Sequence, residues 1–285
     1  MTADAATLRP AIERLAAAGA EADRAEARTV FADFRAALSA GTIRAAEPDP
    51  AAASGWTVHA WVKQGILVGF RCGDITPFAA ADPAAPFLDK DTLPLKRLGP
   101  DAGVRRGPGG ASIRAGAYVG PGVICMPPMY INIGAWVGRD SLIDSHALVG
   151  SCAQVGERVH VSAGAQIGGV LEPIGAMPVI VEDDALVGGS TGIYEGAIIR
   201  ARAVIGAGTV LTGSTAVYDL PNRRVIRPGK DTPLIVPENA VVVPGTRAVT
   251  SDAGREWGLA LATPVIVKYR DDKTDTRTEL EAWLR

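Results

Sequence analysis

The sequence predicts a mainly β protein, a three-sided parallel β-solenoid joined to a helical N-terminal domain. Three observations predict it. Stepping by six residues from Ile113 meets Val119, Cys125, Ile131, Val137, Ile143, Val149, Val155, Val161 and Ile167, and a second series from Val181 meets Val187, Ile193, Ile199, Ile205, Leu211 and Val217. Four residues after most of these positions stands a small residue, as at Ala117, Ala135, Ser141, Ala147, Ala153, Ala165, Ala185 and Ala197. Glycine is abundant, at 33 of 285 residues, while aromatics make up only 5%. A period of six suits neither an isolated helix nor a simple half-buried strand. It suits a coil of three short strands and three corners, in which each aliphatic points inward and stacks on its equivalent three hexads later, and the small residue lets the chain turn. The 17 aliphatic positions amount to between five and six such coils, spaced ~4.8 Å apart.

The elements follow in chain order. Ala-rich segments around 8–19 and 22–40 have helical spacing and stop near Gly41, and 56–70 reads as a third helix. The Pro/Ala stretch from Pro77 to Pro86 reads as a linker, which closes an N-terminal domain at about residue 100. The solenoid occupies 101–250. Its series is interrupted once, because Ile167 and Val181 are 14 residues apart instead of six, with the extra residues in 168–178. Insertions of this kind leave a solenoid as loops on one face, often the binding face. After Val217 the phase is lost through 218–234, and it resumes at Val236 and Val242. In the remaining 251–285, the segment 259–269 reads as a strand and 272–285 as a capping helix.

Composition narrows the function. With 29 basic and 31 acidic residues the net charge is −2, so no basic excess draws the whole chain to nucleic acid or an anionic membrane. Hydrophobic residues at 47% and charged residues at 21% argue against disorder. No apolar run approaches the ~20 residues that span a bilayer, and the N-terminus lacks the pattern of a secretory signal. The cysteines, Cys72, Cys125 and Cys152, are odd in number and far apart, which points to a reducing, cytoplasmic setting rather than a disulfide scaffold.

The repeat series resembles the hexapeptide-repeat acyltransferases, whose coils wind as a left-handed parallel β-helix. Within that group the resemblance sharpens. The runs Asn132-Ile133-Gly134-Ala135, Ile143-Asp144, Gly150-Ser151-Cys152-Ala153-Gln154 and Gly168-Gly169-Val170-Leu171-Glu172-Pro173, together with His59-Ala60-Trp61-Val62-Lys63-Gln64 in the helical part, are similar to the tetrahydrodipicolinate N-succinyltransferases. The similarity covers roughly residues 27 to 285. It implies succinyl transfer from succinyl-CoA, a co-substrate rather than a permanently bound cofactor, to the amine of a small dicarboxylate, ring-opened tetrahydrodipicolinate. It also implies a homotrimer with active sites between subunits, with neither nucleic acid nor membrane as partner. It places Asp144 on the family's substrate-contacting aspartate, Arg106 (with Arg105 as fallback) on its substrate-binding arginine, and Glu195 on its catalytic glutamate. Where many members read Gly-Ala-Arg-Ser-Glu, this chain has Gly188-Gly189-Ser190-Thr191-Gly192. An arginine and a carboxylate are missing, which leaves acetyl transfer as an alternative donor reading.

Acyl transfer to an amine needs a deprotonated amine, a polarised thioester carbonyl and close approach. A carboxylate takes the proton or orients the amine, so Asp144 and Glu195 are the expected catalytic pair, with Asp144 also contacting substrate. Taken alone, each would read as a solvated surface carboxylate. More than two turns of regular coil separate them, so one subunit need not bring them together. Arg106 suits a substrate carboxylate through paired hydrogen bonds. Backbone N–H groups near Gly168 and Gly169 are the expected oxyanion donors. Lys268, with Arg202 or Arg247, could meet the phosphates of CoA. His146 and His160 read as structural, and a three-histidine metal site fails because His59 lies outside the solenoid. Cys152 fits a packed small residue and Cys125 a core position. A solenoid without catalysis, scaffolding an assembly, is the alternative from another class.

Overall fold

The computed structural model describes residues 5–78, 86–229 and 232–271. Short parallel strands stack into three faces of a prism, and the chain visits the faces in rotation. The first face holds Arg105–Arg106, Ile124–Cys125, Leu142–Ile143, His160–Val161, Leu186–Val187 and Val204–Ile205. The second holds Ala111–Ile113, Met129–Ile131, Leu148–Val149, Gln166–Ile167, Gly192–Ile193 and Val210–Leu211. The third holds Tyr118–Val119, Trp136–Val137, Gln154–Val155, Ile180–Val181, Ile198–Ile199 and Ile235–Val236. The key aliphatics pair in register along each face, as in Val119 with Val137 with Val155. Val155 then pairs with Val181 across the inserted residues. The aliphatics and the small residues four later are both buried in one core, from Ile113 and Ala117 through Ile205 to Val242.

The corners turn by a means the repeat did not announce. The small residues point inward, and the turn is made one residue earlier, by a left-handed residue three positions after most of the aliphatics. These include Asp140, His146, Cys152, Arg158, Asp184 and Ser190, besides glycines such as Gly134 and Gly164.

One departure from the sequence reading concerns the end of the series, which otherwise resumes at Val236 and Val242 as expected. Val217 keeps the six-residue phase but leaves the prism. Its strand, Val217–Asp219, pairs antiparallel with Arg224–Ile226 and parallel with Ala260–Tyr269. The third-face slot passes instead to Ile235–Val236, which pairs with Ile198–Ile199. The strand Ala240–Ala248 then continues the first face through Val241 and Val242 and pairs antiparallel with Ala260–Tyr269. A buried carboxylate, Asp219, is held in this extension by Asn222, Arg224 and Tyr269. A short helix, Asp252–Glu256, precedes the last strand. The helix expected over 272–285 lies outside the described residues.

The N-terminal segment packs three helices, α1 (Ala5–Ala18), α2 (Arg24–Ala40) and α3 (Ala60–Cys72). Asp23 caps α2 by accepting from the Glu26 N–H at 2.7 Å, and Gly41 ends it at φ 76°. The helix expected over 56–70 starts later. Trp56–Val58 pairs antiparallel with Ala46–Pro48 and the helix begins at Ala60, as the β-branched Thr57 and Val58 favour. The ends of the expected linker form a hairpin, Ile75–Phe78 with Phe87–Lys90, while 79–85 lie outside the described residues.

The helices dock on the prism edge between the second and third faces. Ile133 and Cys152, both at corners of that edge, belong to the helical core with Phe31, Phe34, Trp61 and Ile66. Nearby, Tyr118 stacks on Trp136 at 3.9 Å and the Arg44 guanidinium lies 3.8 Å over the Trp136 ring.

Candidate active site

The insertion and the segment 212–229 leave the prism at the same edge, between the second and third faces. Between them lies a cleft of about 1010 Å³ lined by residues that include Gly169, Glu172, Met177, Tyr194, Glu195 and Gly213. The structure thus brings together three residues singled out in the sequence, Gly168, Gly169 and Glu195, but the Gly168 N–H is donated to the Ile193 carbonyl at 2.8 Å and is not the oxyanion donor the sequence suggested. Gly169 has to be glycine here for lack of room, since a Cβ would meet the Ser151 nitrogen at 2.6 Å.

Glu195 occupies an unusual corner. Other corners of the regular coils place at most one residue in the left-handed region, but here Glu195 (φ 51°) and Gly196 (φ 74°) are both left-handed. For a glutamate this conformation costs on the order of 1 kcal/mol. Its side chain is exposed in the single chain. Oε2 accepts the Gly213 N–H at 2.8 Å, while Oε1 has no partner among the described residues. One oxygen is therefore anchored and the other is available to a substrate amine.

Asp144 sits elsewhere. It turns the edge between the first and second faces, whereas Glu195 lies on the edge between the second and third. Ile143 pairs with Val161 and Val161 with Val187, so the Glu195 coil is two rungs further on, or ~10 Å along the axis. Asp144 is half-buried, and its Oδ1 accepts the Ser145 N–H at 2.7 Å. It also lies beside His160, which burial holds below the ordinary histidine range against the pull of Asp144. Arg106 is exposed on the same face as Ile143, in register with Cys125, which itself pairs with Ile143. It is therefore two rungs from Asp144 in the other direction. Gly188–Gly192 follows the first-face strand Leu186–Val187, so the departure from the family pattern lies on the Asp144 edge rather than beside Glu195.

Lys268 is not among the residues of the cleft. It is exposed on the last strand and bonded to Asp271 at 3.1 Å. Arg202 donates to Asn239, and Arg247 lies over Tyr218. His146 is an exposed left-handed corner residue. Burial pushes both the Cys125 and Cys152 thiols up to about 12, so neither offers a thiolate. Among the described residues no group of three His, Cys, Asp or Glu could hold a metal ion. No helix among them is long and apolar enough to cross a membrane. The described residues that line the cleft include two carboxylates, Glu172 and Glu195, and no Lys, Arg or His. Sequence reasoning missed the wall supplied by Pro228, Gly229, Thr232 and Pro233, because these residues belong to no repeat and no motif.

Comparison with known proteins places this geometry. Residues 7–72 match the model described as the tetrahydrodipicolinate N-succinyltransferase N-terminal domain. Residues 178–213 match the hexapeptide repeat of succinyl-transferase. With the three-sided prism, this gives the fold class expected, a left-handed parallel β-helix behind a helical N-terminal segment. Over 270 residues the chain is 38% identical to a 2,3,4,5-tetrahydropyridine-2,6-dicarboxylate N-succinyltransferase of Rhodopseudomonas palustris, covering 93% of this chain and 92% of that protein. Proteins of the same name from Xylella fastidiosa (41% over 254 residues, 87% and 85% covered) and Idiomarina loihiensis (37% over 285 residues, 96% and 97% covered) are similar along nearly their whole length. Identity at this level over nine-tenths of the chain means that it belongs to the tetrahydrodipicolinate N-succinyltransferase family.

Proposed function

We propose that this protein transfers the succinyl group of succinyl-CoA to the amine of ring-opened tetrahydrodipicolinate, L-2-amino-6-oxopimelate, in the lysine and diaminopimelate pathway. The observation that carries the reading is the cleft in which Glu195 presents one unengaged carboxylate oxygen next to the glycine-lined backbone of the insertion, in a chain with the family's full-length similarity. The amine nitrogen attacks the thioester carbonyl, the oxyanion is met by the backbone N–H of Gly169, because that of Gly168 is donated to the Ile193 carbonyl, and the C–S bond breaks as the amide forms. The proton lost by the amine passes to Glu195, which hands it on to the CoA thiolate as the thiol leaves. Succinyl-CoA is consumed as a co-substrate, and no resident cofactor takes part.

The charge of the cleft favours an active site shared between copies of the chain. A dicarboxylate beside Glu172 and Glu195 calls for a cationic partner, a part that suits Arg106 of a neighbouring copy. Arg106 and Asp144 lie on another edge, two rungs apart along the stack. In a cytoplasmic homotrimer the first–second edge of one subunit facing the second–third edge of the next completes the site. Arg106 then binds a substrate carboxylate, and Asp144 orients the amine. Lys268 of either copy is available to the phosphates of CoA.

Thiol release from succinyl-CoA and acetyl-CoA, with tetrahydrodipicolinate as acceptor, tests the proposal. Release with succinyl-CoA, lost in Glu195→Gln, is expected. A preference for acetyl-CoA would reassign the donor, in keeping with the arginine missing from Gly188–Gly192. No release from a folded trimer with either donor would leave a scaffold and overturn the reading.

A further inference from the structure

Lys63, on α3, is 0% exposed. It lies among apolar neighbours on its own helix, Val62 and Ile66, which are likewise fully buried. No carboxylate pairs with it among the described residues, and burial holds its ammonium below the ordinary lysine range. A buried ammonium without a counter-charge is unfavourable unless a hydrogen bond compensates. The compensation comes from the insertion: Nζ donates to the Ala176 carbonyl at 2.6 Å. Ala176 and its neighbour Met177 both line the cleft. The Met177 carbonyl in turn lies against the left-handed corner, 2.6 Å from where a Cβ on Gly196 would stand. A chain of contacts thus runs from the interior of the helical domain, through the far end of the insertion, to the residue beside Glu195. Near its start the insertion is held by the Val170 N–H bonded to the Ser151 carbonyl and by Leu171 against the helical core. Between these anchors Glu172, Pro173 and Gly175 are exposed.

We propose that Lys63 is a positioning residue, a buried tether by which the helical domain holds the insertion against the Glu195 corner and so sets the width of the substrate cleft. This rests on the reading of the cleft as the substrate site. The tether acts on substrate binding more than on the chemical step, because Lys63 itself touches a wall of the cleft and not its interior.

The test compares the full-length wild type with Lys63→Met, which removes the donor, and Lys63→Arg, which retains one. Hydrogen exchange at amides 170–178 is measured without substrate, alongside KM and kcat for both substrates. In Lys63→Met, exchange at 170–178 is expected to rise at least about tenfold while the amides of the prism strands stay unchanged. KM for at least one substrate is expected to rise by about tenfold or more with a smaller change in kcat. The melting temperature should hold or increase, because methionine suits the apolar surroundings. Lys63→Arg should recover part of both effects. Wild-type exchange and KM in Lys63→Met would overturn the proposal, as would faster exchange spread over α1, α2 and α3 with a lowered melting temperature, which marks a merely structural role. If Lys63→Met does not fold, the same exchange comparison in Lys63→Gln decides. Faster loop exchange with no acyl transfer by the wild type would sink the reading of the cleft and leave the tether standing.

Discussion

Glu195 and Asp144 occupy different edges of the prism, and this has a direct consequence for mixed assemblies. Asp144→Asn keeps the Oδ1 that accepts the Ser145 N–H, and Glu195→Gln keeps the oxygen that accepts the Gly213 N–H. Both variants should therefore fold as the wild type does, and each alone should lose on the order of 10²–10⁴ in rate through its acid–base group. If each active site takes Asp144 from one subunit and Glu195 from the next, a trimer mixed from the two variants contains repaired sites. A site is intact when its Asp144 comes from a Glu195→Gln chain and its Glu195 from an Asp144→Asn chain. In randomly mixed trimers each condition holds half the time, so about a quarter of sites, and about a quarter of wild-type activity, should return. The assay is thiol release from succinyl-CoA after the two variants are unfolded, mixed in equal amounts and refolded together. Controls are refolded separately and mixed afterwards. Activity no greater than in the separately refolded controls would refute the shared site. It would mean that Asp144 and Glu195 serve one subunit's site despite the rungs and the edge between them.

Two further outcomes follow from named residues. Asparagine accepts the left-handed conformation more readily than glutamate, so Glu195→Asn should match or exceed the wild-type melting temperature while losing acyl transfer; a clear loss of stability would show that the corner is not strained. Lys96 donates to the Ser39 and Ala117 carbonyls, and burial pushes its ammonium down to about 8. From about pH 8 to the ordinary lysine value near 10.4 the unfolded chain holds a proton that the folded chain has released, so folding gains stability as pH rises. The melting temperature of the wild type relative to Lys96→Met should therefore climb between pH 8 and 10, and a constant difference would refute the assignment.

The prism was legible because its repeat is a local consequence of geometry. Each coil must put an aliphatic inward at the same phase, and Val137, Val155 and Val181 do so even across eight extra residues. Val217 shows where such reading stops. It has the right residue type at the right spacing, yet partners far along the chain, in 260–269, draw its strand out of the prism. The start of α3 was misplaced for a related reason, since Trp56–Val58 is held as a strand by its pairing with Ala46–Pro48. Glu195 and Asp144 were legible only through family resemblance, because a single carboxylate after an aliphatic looks like any solvated corner.

What the sequence determined by itself is the prism, its inward residues and the point at which a loop must leave it, since these follow from a repeat whose parts lie close together in the chain. Which edge that loop leaves, which residues face it, and what holds it in place were decided by tertiary structure. Glu195 meets the insertion because 26 residues of chain bring Ile193 directly over Ile167. Lys63 reaches Ala176 because α3 packs against the corners at Ile133 and Cys152. A buried ammonium and a strained corner leave no periodic trace in a sequence, for their cost and their compensation lie in segments that only folding brings into contact.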